Sequence, residues 1–554
     1  MVDFSNALFD PKGQLIGQTT NCPVHLAAMH FSVQSSINKF KEEGLEDGDI
    51  VVLNDPYQGG THIPDITFTK PIYYEGEIVA FAASRGHWLD LGGGAFASEM
   101  HSATHIAQEG LRLPPVKIFR RGKPVESIID IIKSNTRVPY YIEGDLRAHL
   151  GALKVAEKYM QELVEKYGIE IVRECMEEAL DYTEKRTRKA IEKIPNGKYW
   201  ARDYVDCDGI RRDSVPIEVT LTVKGDEIWV DFTGTNPIVE GHINYPVAGT
   251  YSAVYWALKF FLDPDAPPNA GMYRPIHILL PEGVFVNAKW PAPVYHGNLA
   301  TSERIADTIW KALEQAIPDR MVGFPYGECN PLAIGITEGN SGTSIVISEL
   351  PPGGWGGTPF HDGMNATYSR HGNCMDLTIE LAESVYPIRV ERRELIQDSG
   401  GPGKFRGGLS SFLAITVLRD AIVGAAMDRT KIGPPGTHGG KAGKPGRIIK
   451  NPGKEDEEIW GGYDGRGDWK MSMFDNRPLK AGETIAMAAQ GGGGWGEALE
   501  RDPKLVLEDV LDEYISIKAA EEEYGVVINP KTYEIDYEAT EKLRKNLMKK
   551  RRER

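Results

Sequence analysis

Glycine and proline decide what this chain can become. Sixty Gly and thirty-five Pro among 554 residues interrupt helices and turn the backbone sharply, which predicts a strand-rich body with long irregular loops. That length exceeds one ordinary hydrophobic core, so two to four lobes are expected. One stretch escapes the pattern. From Leu146 to about Lys193, apolar residues recur at three- and four-residue spacing among dense Glu and Lys, which predicts a long helical hairpin. Such a hairpin packs lobes together, meets a partner, or lies as an ordinary surface pair. The expected fold is a large, multi-lobed α+β protein. Its divisions are 1–145, the hairpin at 146–197, a mixed α/β part at 198–427 and a Gly-rich part with a basic tail at 428–554.

Period-two patterns place the strands. Asp49 to Leu53 reads as a short buried strand, and Ile66 to Tyr73 with Glu77 to Ala83 as a pair around the turn Glu75-Gly76. Ile217 to Val223 and Glu227 to Phe232 form a hairpin about Gly225-Asp226. Gly249 to Leu262 and Arg304 to Ile317 read as helices, and Asn330 to Met427 as strands mixed with Gly-rich loops. The segments Gly433 to Gly446 and Gly491 to Gly496 are too rich in Gly to be element interiors.

The net charge of -16 disfavours nucleic acid and anionic membrane as partners. No apolar run is long enough to span a bilayer, and Met1-Val2-Asp3-Phe4-Ser5 lacks the regions of a secretory signal, so a cytoplasmic protein is expected. The tail Lys542 to Arg554 is basic; a solvated helix end is the simpler reading than a dock for an acidic partner. Five dispersed Cys (Cys22, Cys175, Cys207, Cys329, Cys374) make no C-x-x-C pair and read as small buried apolar residues.

Chemistry concentrates near the N-terminus, where seven of thirteen His lie within the first 149 residues. In Asn54-Asp55-Pro56-Tyr57-Gln58-Gly59-Gly60-Thr61-His62-Ile63-Pro64-Asp65 and Gly86-His87-Trp88-Leu89-Asp90, imidazole and carboxylate stand between turn-forming residues. That donor set suits a divalent transition metal such as Zn, Mn or Fe. Asp55, His87, Asp90 and His105 are the expected ligands. His62 and Asp65 are the expected catalytic pair, able to replace a ligand or to orient one. His101 and His105, four apart, would share a face if helical. His25 is a site candidate of second rank, as are Asp145, Arg147 and His149 at the expected start of the hairpin. There Asp145 is most simply an N-cap or first-turn anion, and Arg147 the alternative holder of a substrate anion. The Gly-rich segments are not P-loops: in Gly439-Gly440-Lys441-Ala442-Gly443-Lys444-Pro445, Pro445 occupies the place of the required hydroxyl. No Gly-x-Ser-x-Gly elbow occurs, which favours metal-bound water over a serine nucleophile.

With these motifs in view, the chain resembles the hydantoinase B/oxoprolinase family, from Asp3-Phe4-Ser5 to about Val510. Besides the metal motif, the resemblance rests on Gln108-Glu109-Gly110-Leu111-Arg112-Leu113-Pro114-Pro115, Gly144-Asp145-Leu146-Arg147-Ala148 and Gly297-Asn298 with Thr301-Ser302. Glu383-Ser384 with Tyr386-Pro387, Asp398 to Gly408, and Gly491 to Gly496 complete it. The family includes the B-type component of N-methylhydantoinase, the C-terminal half of 5-oxoprolinase and components of acetone and acetophenone carboxylases. The resemblance implies a metal-carrying subunit whose partner, a hydantoinase A-like ATPase, binds ATP and phosphorylates the substrate. A cyclic amide is then opened by water, or a ketone carboxylated. A third possibility is a non-catalytic structural subunit. Two departures, His87-Trp88 where relatives show His-His and His105 where they often carry an acid, lean toward the carboxylase branch.

Overall fold

A computed structural model describes residues 3–19, 21–25, 27–338 and 343–552; Met1, Val2, Glu553 and Arg554, at the two ends of the sequence, lie outside them. A seven-stranded antiparallel sheet organises the N-terminal part. Its order is Leu15–Gln18, Phe4–Phe9, Glu77–His87, Asp65–Tyr74, Ile50–Leu53, Val116–Arg120 and Lys123–Pro124. Both faces are covered. Ala80 and Ala82 pack with Phe68 toward the helical hairpin, whereas Phe81 and Ala83 pack on the opposite side with Met29 and Val33 of helix Ala28–Lys39. Alternation thus feeds two separate cores from one strand.

The hairpin comprises Pro139–Tyr167 and Ile169–Ile191, parted at Gly168 with φ 86°. It starts seven residues before the expected Leu146 because Pro139 occupies the first turn, where a missing N–H is harmless. Ile142, Leu153, Met160 and Val164 face the sheet. Val155, Tyr159, Leu163 and Tyr167, spaced by four, form an exposed row.

A second sheet runs Ile276–Leu279, Glu227–Asp231, Val215–Lys224, Gly197–Val205. The expected two-residue turn Gly225-Asp226 joins its central hairpin. Helices Val247–Leu262 and Thr301–Glu314 share its core. A four-stranded sheet (Thr343–Glu349, Leu332–Glu338, Ala421–Ala426, Met473–Leu479) and a six-stranded sheet (Ile388–Leu395, Ser411–Val417, Thr484–Ala488, Arg447–Lys450, Glu458–Tyr463, Trp469–Lys470) enclose a further core around Ile334, Val423, Ile415 and Met487. The largest core joins Phe9, Leu180, Leu258 and Met473, so it crosses all four divisions drawn on the sequence. Lys542 to Arg552 of the basic tail lie within helix Tyr537–Arg552. No helix among the described residues is long and apolar enough to cross a membrane.

The Gly-rich segments stack main chain on main chain. Gly401 N–H donates to Gly492 O (2.8 Å), Gly492 N–H to Gly408 O (3.0 Å) and Gly494 N–H to Lys441 O (2.9 Å). A Cβ on Gly492 would fall 1.9 Å from the Trp355 carbonyl oxygen, so close approach requires glycine there.

Candidate functional site

Strand register builds the site. Asp65 stands directly opposite His87 in the antiparallel pair, so both side chains lie on one face, about 5 Å apart at Cβ. The turn leading into that strand lays His62 over the same face. Its Nδ1 is 3.1 Å from Asp65 Oδ2, and its ring centroid is 5.1 Å from that of His87. From the neighbouring strand, the Ser5 hydroxyl lies 3.0 Å from His25 Nδ1, and His25 Nε2 is 3.6 Å from Asp65 Oδ1. Thr61 donates its hydroxyl to Asp65 Oδ2. Burial pushes the Asp65 carboxyl up, but His62 and His25 outweigh it and hold the group well below the usual carboxylate range. Burial, then the neighbouring His62, lowers His87, which favours the neutral ring with a free lone pair.

His25, His62 and His87 line a cavity of about 30 Å³ with Asp3, Glu99 and Tyr295, enough for an ion and a water or two. Its far wall comes from distant segments. Cys329 Sγ lies 3.4 Å from His371 Nε2, and His371 Nδ1 lies 2.6 Å from Glu303 Oε1. Burial alone would lower His371; Cys329 and Glu303 override it and raise the ring to about 10. Burial likewise works against ionised Glu303, yet Arg370 and His371 draw it down to about 2. Burial raises Cys329, opposed by the neighbouring His371.

Both ring nitrogens of His62 and Oδ1 of Asp65 are buried without a formed hydrogen bond. Buried polar atoms are ordinarily satisfied, so imidazole and carboxylate left open around a small cavity fit a divalent transition metal. Beyond His87 lies a cavity of about 240 Å³ that shares Asp3 and His87 and is bounded by Trp88, Asp145 and His149. Burial raises Asp145 to about 6 and lowers His149 to about 4. His149 Nδ1 is 2.8 Å from the Ser84 hydroxyl, and its Nε2 accepts the Trp88 indole N–H at 3.2 Å.

Of the four residues expected to share a metal, His87 alone reaches the small cavity. Asp55 caps the short turn Pro56–Gln58, accepting from Tyr57 N–H and Gln58, and lies 3.5 Å from Arg112. Asp90 is held by Arg137 at 2.8 Å and by the Gly92 amide. His105 caps Ile106–Gln108, accepting from Ala107 N–H. Since the segment is not an α-helix, His101 and His105 share no helical face: His101 is buried, whereas His105 stacks edge-on against Trp290. Asp145 is no cap either, for the helix begins at Pro139. Arg147 is exposed and lines a different cavity, with Lys70 and Glu157. His62, Asp65 and His25 do converge with His87. Cys175 is exposed, contrary to expectation, while Cys22 and Cys329 line the site. Asp3, Glu99, Tyr295, Cys329 and His371 were not read as site residues. The nearest signals were the Asp3-Phe4-Ser5 start and the motif just after Tyr295.

The family model for hydantoinase B/oxoprolinase matches residues 1–498. The B component of a putative D-/L-hydantoinase from Pseudomonas sp. (strain NS671) is 33% identical over 98% of this chain and 92% of its own length. The beta chain of the caprolactamase of Pseudomonas jessenii is 34% identical over 95% of this chain and 90% of its own. The crystal structure of the ATP-dependent caprolactamase from that organism superposes with a TM-score of 0.91 at 31% identity, covering 98% of this chain and 93% of that one. A nucleotide-free acetone carboxylase shares the fold, with a TM-score of 0.89 at 20% identity over 99% of this chain and 78% of that chain.

Proposed function

The chain belongs to the hydantoinase B/oxoprolinase family, and from that premise we propose that it is the metal-carrying subunit of an ATP-dependent enzyme opening a cyclic amide. The substrate would be a hydantoin, 5-oxoproline or lactam ring, activated by phosphorylation on a hydantoinase A-like ATPase partner. Two relatives are named as single components of multi-subunit enzymes, and the caprolactamase is described as ATP-dependent; both facts support this reading. The observation that carries it is the meeting of His62, Asp65 and His87 on one face of the sheet, the two imidazoles lining a buried cavity, with His62 Nε2 and Asp65 Oδ1 left without a hydrogen bond.

His62, Asp65 and His87 would hold the divalent metal, with His25 orienting Asp65. When bound, such an ion polarises a carbonyl or lowers the pKa of water. Asp65 remains an anion throughout the physiological range, and His87 offers a neutral nitrogen. His371, kept positive by Glu303, faces the place where a phosphorylated substrate would bring negative charge. The cavity beside Asp145 and His149 is large enough for a small ring and opens on His87 from the other side. The two departures from the family pattern leave this arrangement alone. Trp88 turns toward His149 and His105 is a turn cap.

The test uses the complex with its ATPase partner, purified without chelator. Expected are bound transition metal, ring opening dependent on ATP, and loss of at least 100-fold in turnover in His62→Ala and His87→Ala. Wild-type turnover in both variants would refute the role and favour a structural subunit. Fixation of labelled bicarbonate into acetone or acetophenone, with no lactam opened, would replace it by the carboxylase reading.

A further inference from the structure

Apart from the cavity already described, the molecule holds a second concentration of imidazole. His101 follows the short turn Phe96–Ser98, His242 precedes Asn244, and His296 lies in the turn Tyr295–Asn298. All three are wholly buried. Their ring centroids are 5.2 to 6.1 Å apart, and one nitrogen from each falls within 4.8 Å of the others. None of the six ring nitrogens makes a formed hydrogen bond, although the Asp208 backbone lies close enough to His242 to favour its charged form in part. Core histidines retained only for packing find partners for both nitrogens. Three that share a centre and find none have the arrangement of ligands lacking their ion.

A carboxylate stands beside one of the three rings. Glu328 Oε2 lies 3.3 Å from His296 Nε2 and accepts the Asp428 amide at 3.0 Å, while its Oε1 accepts from the Cys329 amide at 3.0 Å. Glu99 Oε2, buried and without a hydrogen bond, lies 3.7 Å from His101 Nε2. We propose that His101, His242 and His296, with Glu328 as fourth ligand, bind a zinc ion at a site separate from the His62–Asp65–His87 cavity. Three imidazoles and one carboxylate, closed from solvent, make a tetrahedral structural set. Nitrogens bound to one zinc lie roughly 3.3 Å apart, so the rings need to draw together by an ångström or so. Tyr295 separates the two centres, its ring 5.7 Å from His101 and 5.5 Å from His62. The ion would tie the N-terminal sheet's loop, the central part and the strand leading to the C-terminal sheets at a single point. The proposal is independent of the catalytic reading.

The full chain, expressed with zinc and dialysed without chelator, tests it. A His62→Gln/His87→Gln double variant is expected to retain one zinc per chain, with an X-ray absorption first shell of three imidazoles. His242→Gln is expected to lose one equivalent relative to wild type. Zinc-edge anomalous diffraction from wild-type crystals needs no variant to fold; a peak is expected among His101, His242 and His296. Absence of that peak in zinc-loaded crystals, or a double variant that folds but holds no metal, overturns the site. Wild-type turnover in that double variant, with zinc present among the three rings, would refute only the proposed function.

Discussion

Replacing Glu109 by Gln tests how the cavity wall is held. Glu109 is wholly buried; its Oε1 accepts the amides of Val294 at 2.7 Å and Tyr295 at 2.9 Å, and Oε2 has no partner. Burial raises the carboxyl from 4.5 to about 8, only partly opposed by those two amides. The folded protein therefore keeps a proton that the unfolded chain releases above pH 4.5. Between pH 4.5 and 8 stability falls as pH rises, by about 1.4 kcal/mol per pH unit. Across that window the loss amounts to about 4 to 5 kcal/mol. Gln keeps the accepting oxygen and cannot ionise, so Glu109→Gln should match wild type near pH 4.5 and exceed it progressively toward pH 8. Urea unfolding of both proteins at several pH values measures the difference, in which other titrating groups cancel. Parallel curves would show that Glu109 ionises in the folded state without cost, and the reasoning would fail.

Other perturbations probe different parts. Arg304 is buried against Asp307 and Asp428, the latter at 2.6 Å; Arg304→Met strands carboxylates and should cost about 3–5 kcal/mol, read by thermal unfolding. A Cβ at Gly297 would lie 2.0 Å from the Asn244 carbonyl oxygen. Gly297→Ala should therefore displace Tyr295 and His296, destabilise by about 1–3 kcal/mol and lower metal content by elemental analysis. Tyr159, 59% exposed in the outward row of the hairpin, is expected to meet the ATPase partner. Tyr159→Glu should weaken that association about tenfold by titration while leaving the circular dichroism unchanged.

How far the site was legible depended on distance along the chain. His62 and Asp65 were visible because only two residues separate them. His87 followed from strands whose pairing needs only a two-residue turn. His371 and Glu303 were invisible, since nothing local tells an imidazole that another imidazole or a carboxylate some seventy residues away will meet it. Asp55 misled for a physical reason: an aspartate that caps a turn and one that binds a cation use the same oxygens, and both favour Gly and Pro neighbours. Asp90 misled because its guanidinium partner, Arg137, lies far outside the motif. The hairpin was read from its period, but its first turn was missed because Pro139-Tyr140-Tyr141 carries no amphipathic signature.

The stacked glycines carry a consequence of their own. Cohesion there comes from peptide groups meeting peptide groups, with almost no side chain to contribute. Gly357 N–H, bound to Gly493 O at 2.9 Å, and Gly493 N–H, bound to Phe324 O at 2.8 Å, belong to neither helix nor strand. Their deuterium uptake should nonetheless be as slow as that of sheet amides, and a saturation mutagenesis map should show Gly491 to Gly494 as a stretch where even alanine fails.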